Sequence, residues 1–450
     1  MKKLFHRFNF LLIFVLCVAF TSCRTTNVAV PAERSLSARL EVKHDSAASV
    51  PIKGIPILAW YGVKEHTIER YRELKEAGID HNLTFCRNAD ELASALDAAK
   101  AAGVKIFASC PELSWGEIGA AENIVNRFKH HPALAGYHII DEPSRDQFLH
   151  WGELVRRIQT VDDKHFCYVN LIPSIHPDPD QSIYGTATYR EYVQSFINEV
   201  PVPFLSFDVY PIRFNGVERI LLDGFYENLE IISDEARNVG KPFWAFALTT
   251  PHAHFPIPTI ADLRLQVFSS LAYGTQGIQY FTYWTGPPNG GLIFHDGPID
   301  ITGQKTPTWY TVQQMSREIK ALSSVFLGAK VIKVEHITVN AEGENGSVPI
   351  GTTRFDFANR PAEAQIITKF TPANGTNAMV SFLKNGNRCY MVVINRNLEG
   401  GDNMSVIIEG GTGLQLIKKD GKAVPASSES SNQTVTPGDV LIYGWDIKKK

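Results

Sequence analysis

Two adjacent carboxylates, Asp141 and Glu142, end an apolar run that reads A-L-A-G-Y-H-I-I-D-E-P over Ala133–Pro143. Pro143 has no backbone donor and biases Glu142 away from the α region, so a strand here should stop at the two acids. An apolar strand rarely ends on two acids for packing alone, because an ionised carboxylate is costly to bury. The chemistry they offer is general acid/base proton transfer. Their plain use is to cap a loop, since Asp-Glu-Pro also makes an acceptable turn. Strand alternation sets Gly136, His138, Ile140 and Glu142 on one face and Tyr137, Ile139 and Asp141 on the other. Near a strand end the alternation weakens, so either acid can reach the mouth, with Asp141 suited to a substrate hydroxyl.

A third acid, Asp208, lies in Phe204–Pro211, where Ser206, Asp208 and Tyr210 share one face and Leu205, Phe207 and Val209 the other. The apolar set suits the helix side of a barrel, which turns Asp208 and Tyr210 toward its interior or mouth. An inward Asp has to be paired, hydrogen-bonded or functional. Glu112, in Cys110-Pro111-Glu112-Leu113-Ser114-Trp115, is a further carboxylate candidate, although loop acids are usually only solvated.

These residues need a scaffold, and the chain from Gly54 supplies a rhythm of strand and helix. Strand-like runs fall at Ile55–Gly62, His81–Phe85, Lys105–Cys110, Ala133–Pro143, His165–Pro173, Phe204–Pro211, Pro242–Thr250 and Gly277–Trp284. A helical pattern follows each of them, and Gly78 and Gly103 close the first two helices. Eight alternations over this length predict an α/β fold, a (β/α)8 TIM barrel over residues 53–328. A doubly wound sheet would carry a glycine-rich turn after its first strand, and Trp60-Tyr61-Gly62-Val63 is not one. Beyond Gly328 the period changes. Met379–Leu383, Cys389–Asn395, Met404–Ile408 and Val440–Tyr443 read as strands between Asn-Gly, Gly-Gly, Asp-Gly and Pro-Gly turns, which predicts a smaller all-β sandwich over 329–450.

The 450 residues carry a formal charge of −3, without the basic balance of a nucleic-acid-binding surface. Lys2, Lys3 and Arg7 precede the apolar run Phe8–Phe20 and then Thr21-Ser22-Cys23. That is a secretory signal over residues 1–22, and the small residues before the cysteine resemble a bacterial lipobox. Cys23 is then the lipidation site of an exported protein anchored in a cell-envelope membrane, with residues 23–52 as a linker. An ordinary signal peptide with an accidental cysteine is the plain alternative. Cys86, Cys110, Cys167 and Cys389 lack zinc-site spacing and read as buried thiols, although export permits disulfides.

Aromatics gather at the strand ends: Trp60 and Tyr61 after strand one, Trp115 after strand three, Tyr210 after strand six, Tyr283 and Trp284 after strand eight. Aromatic faces stack on the C–H faces of sugar rings, and the group is harder to assign to packing than any one member. With His138 and His252 they form the expected binding set. His252, His254 and His295-Asp296 supply no fixed set of three metal ligands, so polar contacts to substrate are the better reading and no metal is expected. Asn289-Gly290-Gly291 lacks the context of a phosphate loop.

The chain resembles bacterial (β/α)8 glycoside hydrolases of the β-galactosidase-like superfamily, in an exported form with a C-terminal β-sandwich. Gly136–Pro143, Phe207-Asp208-Val209-Tyr210-Pro211 and Ala272–Phe281 carry the likeness. The resemblance implies a carbohydrate substrate, no cofactor, and Glu142 as acid/base at the end of strand four, with Asp141 where the superfamily has Asn. It also implies a nucleophilic Glu ending strand seven, where this chain reads P-F-W-A-F-A-L-T-T over Pro242–Thr250. Other barrel glycosidases place their acids on strands four and six, a layout that Glu142 and Asp208 fit. The expected activity is hydrolysis of O-glycosidic bonds. The alternative is a catalytically inactive barrel that binds glycan as a surface lipoprotein.

Overall fold

The computed structural model describes residues 54–114, 117–174, 183–222, 224–426 and 432–447. Barrel strands β1 to β6 are Ile57–Trp60, His81–Leu83, Lys105–Ala108, Leu134–Asp141, Phe166–Asn170 and Leu205–Phe207. A hairpin, β7 (Ile212–Phe214) and β8 (Arg219–Leu221), follows β6, and the barrel resumes with β9 (Phe243–Leu248) and β10 (Gly277–Phe281). The eight barrel strands are parallel, in the order β5-β4-β3-β2-β1-β10-β9-β6. A bridge between Leu171 and Phe207 closes β5 onto β6. This is the expected barrel. The hairpin is an addition to it, turned at Asn215-Gly216.

Alternation along the strands separates two apolar layers. Ile57, Ala59, Ile106 and Val169 pack outward against the helices. Leu58, Trp60, Phe107, Tyr168, Phe204, Trp244 and Phe246 fill the barrel itself. A Cβ on Gly277 would lie 2.4 Å from the Trp244 indole, so only glycine lets that ring lie against β10. Half of the ten described α-helices start on a residue whose side chain caps them. Thr67, Asn88, Thr188, Thr259 and Thr306 each accept a bond from a first-turn N–H, which fixes where each loop ends.

The C-terminal region has β11 (Lys330–Thr338), β12 (Ile367–Pro372), β13 (Asn377–Asn385), β14 (Arg388–Asn395), β15 (Met404–Gly410), β16 (Gln415–Ile417), β17 (Ala423–Pro425), β18 (Asn432–Val435) and β19 (Val440–Asp446). They form a six-stranded sheet, β11-β13-β14-β19-β16-β17, and a three-stranded sheet, β12-β15-β18. The larger sheet is apolar on both faces. Met379, Leu383, Val392 and Ile442 face the barrel, while Val380, Phe382, Met391 and Val393 face the small sheet. Ser381 Oγ donates to Ala272 O at 2.8 Å, and Arg264 pairs with both Glu318 and Asp439, joining the sandwich to the barrel helices. The four described cysteines are free and buried. No described helix is long and apolar enough to cross a membrane, and the lipidation site Cys23 lies outside the described residues.

Candidate active site

A bulge in β4 decides which acids face the barrel mouth. His138 pairs with Tyr168, Ile140 with Val169 and Asp141 with Asn170, so Ile139 is one residue too many. Ile139 and Ile140 both pack toward the helices, and Asp141 returns to the inward side beside Asn170. Regular alternation puts Glu142 in phase with His138. The extra residue gives that place to Asp141. Glu142 follows at φ 50°, a region that side-chain-bearing residues seldom occupy, while its N–H still donates to Asn170 O at 2.9 Å.

Asn170 ties the acids together. Its Nδ2 donates to Asp208 Oδ1 at 2.8 Å and to Asp141 Oδ1 at 3.2 Å. Ser206 Oγ donates to Asn170 Oδ1 at 2.8 Å, which fixes which end of the amide faces the acids. Behind it, Gln279 Nε2 donates to Ser206 Oγ at 2.9 Å and the Tyr168 hydroxyl donates to Gln279 Oε1. Ser206 shares an inward face with Asp208 in the sequence. Asn170 and Gln279 were not singled out there, and the one sign of Asn170 is a polar residue ending the apolar strand Phe166–Asn170.

The electrostatics follow from crowding. Asp141 and Glu142 keep solvent-facing surface at the mouth. Burial and then the Asp208 charge push Asp141 up to about 7, against the Asn170 bond. Burial pushes Asp208 up to about 6, held down by Asn170, by the Tyr210 hydroxyl and by Glu142. Glu142 rises well above the usual carboxylate range, through burial and through the charges of Asp208 and Asp141. Neighbouring carboxyls do not readily ionise together, so Glu142 is the acid that keeps its proton and Asp208 the one that ionises.

The opposite side of the mouth is aromatic. Tyr61, 46% exposed, lies 5.0 Å from Phe85 and 6.2 Å from Phe281 between ring centroids. Its hydroxyl is raised by burial and by the Asp141 charge, which places it across from the acids. Phe281 continues the surface to Tyr210 at 5.4 Å, and Tyr210 to Phe255 at 5.7 Å.

Other expected contacts lie elsewhere. Trp60 is the floor beneath the mouth, edge-on to His138, Tyr168 and Phe246. His138 is enclosed among these rings and burial pushes its imidazole down to about 3, so it packs as a neutral ring. His252 is buried among Phe255, Phe281 and Phe294, with Nδ1 on Thr250 O at 3.0 Å. Tyr283 and Trp284 do not line the mouth. The chain turns outward after Phe281, so Tyr283 meets Trp309 Nε1 at 3.3 Å and Trp284 lies under the Arg70 guanidinium. Glu112 turns to the Cys110 thiol. Trp115 lies outside the described residues. Strand seven ends at Thr249 and Thr250, whose hydroxyls both donate to Thr282 O at 2.8 Å. Among the described residues no group of three or more His, Cys, Asp or Glu is placed to hold a metal ion.

No family model matches the chain, and no curated protein aligns with it. Solved structures share its fold, and these neighbours are glycoside hydrolases. A β-galactosidase from Bacillus circulans sp. alkalophilus matches at 11% identity, over 87% of this chain and 99% of that one, with a TM-score of 0.54. A glycoside hydrolase family 5 protein from Bacteroides vulgatus ATCC 8482 matches at 11% identity, over 87% and 89%, with a TM-score of 0.53. A β-galactosidase from the psychrophilic Marinomonas ef1 matches at 12% identity over 60% of either chain, with a TM-score of 0.44, too loose to argue from. At such identities the likeness concerns the barrel fold alone.

Proposed function

We propose that the chain is a glycoside hydrolase that cleaves O-glycosidic bonds of an oligo- or polysaccharide at the C-terminal rim of its barrel. The observation that carries this reading is the arrangement of Asp141, Glu142 and Asp208 around Asn170, opposite an aromatic wall. Glu142 gives its proton to the glycosidic oxygen as the bond to the anomeric carbon breaks. Asp208 either attacks that carbon or takes the proton of an attacking water. Carboxyls stand roughly 5–5.5 Å apart in retaining enzymes and roughly 6.5–9.5 Å apart in inverting ones. The separation that Glu142 and Asp208 take around a bound sugar decides which course Asp208 follows. Asp141 stays to hold a sugar hydroxyl, and Tyr61 and Tyr210 bound the ring.

The second reading is an inactive barrel that binds glycan, favoured by the threonines Thr249 and Thr250 that follow β9 in place of a carboxylate. A glycan library screened for released reducing ends, with Glu142→Gln beside the parent, separates the two. Cleavage by the parent that falls about 10²–10⁴-fold in the variant supports hydrolysis. Binding without any cleavage by the parent supports the inactive barrel. The proposal also puts the protein on a membrane through lipid at Cys23. Labelled fatty acid should enter the parent and not Cys23→Ala, and equal labelling would refute it.

A further inference from the structure

The N-terminal rim of the barrel, opposite the acids, holds a cavity of about 760 Å³. This is within the size range of small-molecule sites, roughly 300–1,000 Å³. Its wall carries Lys105 at the start of β3, Lys129 before β4 and Lys164 before β5, with no carboxylate in the lining. Lys105 Nζ donates to Pro132 O at 2.7 Å, and Lys129 Nζ to Asn126 Oδ1 at 2.9 Å and Val161 O at 3.2 Å. These acceptors are neutral, and among the described residues none of the three lysines pairs with a carboxylate. Each ammonium has three donors, so Lys105 keeps two and Lys129 one.

The acids of this rim are already engaged. Asp80 meets His81 and Lys320, Asp97 meets His131, and Asp162 meets His165 and the Tyr137 hydroxyl. Three of the four histidines that line the cavity, His81, His131 and His165, hold these carboxylates, and none of the carboxylates itself belongs to the lining. Phe166, Leu134 and Trp244 make the rest of the lining apolar, and Trp244 owes its place to the missing side chain of Gly277. Cations on a wall and rings on a floor suit a molecule with an oxyanion at one end and an apolar or ring-shaped body.

We propose that this cavity binds a small ring-bearing organic anion, its carboxylate, sulfate or phosphate on Lys105, Lys129 and Lys164 and its body over Phe166 and Trp244. The site stands about 25 Å from the acids, the length of an eight-residue strand. It does not depend on the glycosidase reading.

Titration calorimetry on the full chain tests it with three charged hexoses, glucuronate, glucose 6-sulfate and glucose 6-phosphate, and with neutral methyl glucoside. At least one charged hexose should bind with a Kd below about 5 mM at low salt and weaken as salt rises. The Lys105→Gln/Lys164→Gln protein should lose that binding about tenfold or more, while Glu142→Gln keeps it. Lys164→Glu alone, at an exposed side chain, makes the same test should the double variant fail to fold. Which hexose binds identifies the oxyanion. No charged hexose binding below that limit, parent-like binding by the lysine variants, or loss of binding in Glu142→Gln would each overturn the proposal.

Discussion

The two ends of the barrel are built from the same strands and carry opposite charge. Where β4, β5 and β6 finish, Asp141, Glu142 and Asp208 crowd around one asparagine and force one another toward the protonated form. Where β3, β4 and β5 begin, Lys105, Lys129 and Lys164 share a cavity, and burial pushes the Lys105 ammonium down. Each rim holds like charges together. At the acid rim they crowd around Asn170 and raise one another's pKa. At the basic rim they stand apart around a cavity. Like charges crowded together make proton chemistry, whereas like charges around a space make a binding site.

The largest expected effect separates the rims outright. Asp208→Asn should lower kcat about 10²–10⁴-fold, and Lys105→Gln should leave it within about twofold. A comparable loss in both would mean that the ends are coupled. Next comes the link between the acids. Asn170 donates to the ionised forms, so Asn170→Ala should raise both pKa values. The acidic limb of the pH–rate profile, set by Asp208 near 6, should then move to higher pH as kcat falls by about tenfold. An unmoved limb would show that Asn170 only shapes the fold.

The remaining tests concern stability. Gly277→Ala should destabilise the protein by about 1–3 kcal/mol in urea titration, since its methyl group meets the Trp244 ring. Full stability in that variant would show that the indole has room to shift. The smallest effect follows from linkage. Asp141 has a folded pKa of about 7, raised above its unfolded value, so the folded state holds its proton longer than the unfolded one. Its contribution is fully present below the unfolded pKa and is lost as pH rises through about 7. Asp141→Asn should therefore raise Tm at pH 8 and change it little at pH 4. An equal gain at both would remove the carboxylate's charge as the cause.

Most of the barrel was legible because each strand is a short apolar run bounded by turn residues, and the helices carry their caps in sequence. The hairpin Ile212–Leu221 had its Asn-Gly signal, but its strands of three residues are too short to show alternation. β11, β12, β16, β17 and β18 were missed for the same reason or because polar residues interrupt them. The acids were visible as types. Their grouping was not, because the β4 bulge exists only in the pairing with β5. The basic cavity left still less trace. Lys105 starts β3, Lys129 ends the helix before β4 and Lys164 precedes β5, and only the pairing of these strands brings them together.

The spare residue in β4 also bears on how this site would change over generations. Removing Ile139 or Ile140 would abolish the bulge and leave one residue between His138 and Asp141, so Asp141 would keep its inward place by plain alternation. What would exchange the acids is a strand that keeps both isoleucines and pairs regularly, which sets Glu142 in phase with His138. The acid at the centre of the site is thus set by the pairing as much as by identity, and a single-codon deletion here is a change that the site can absorb.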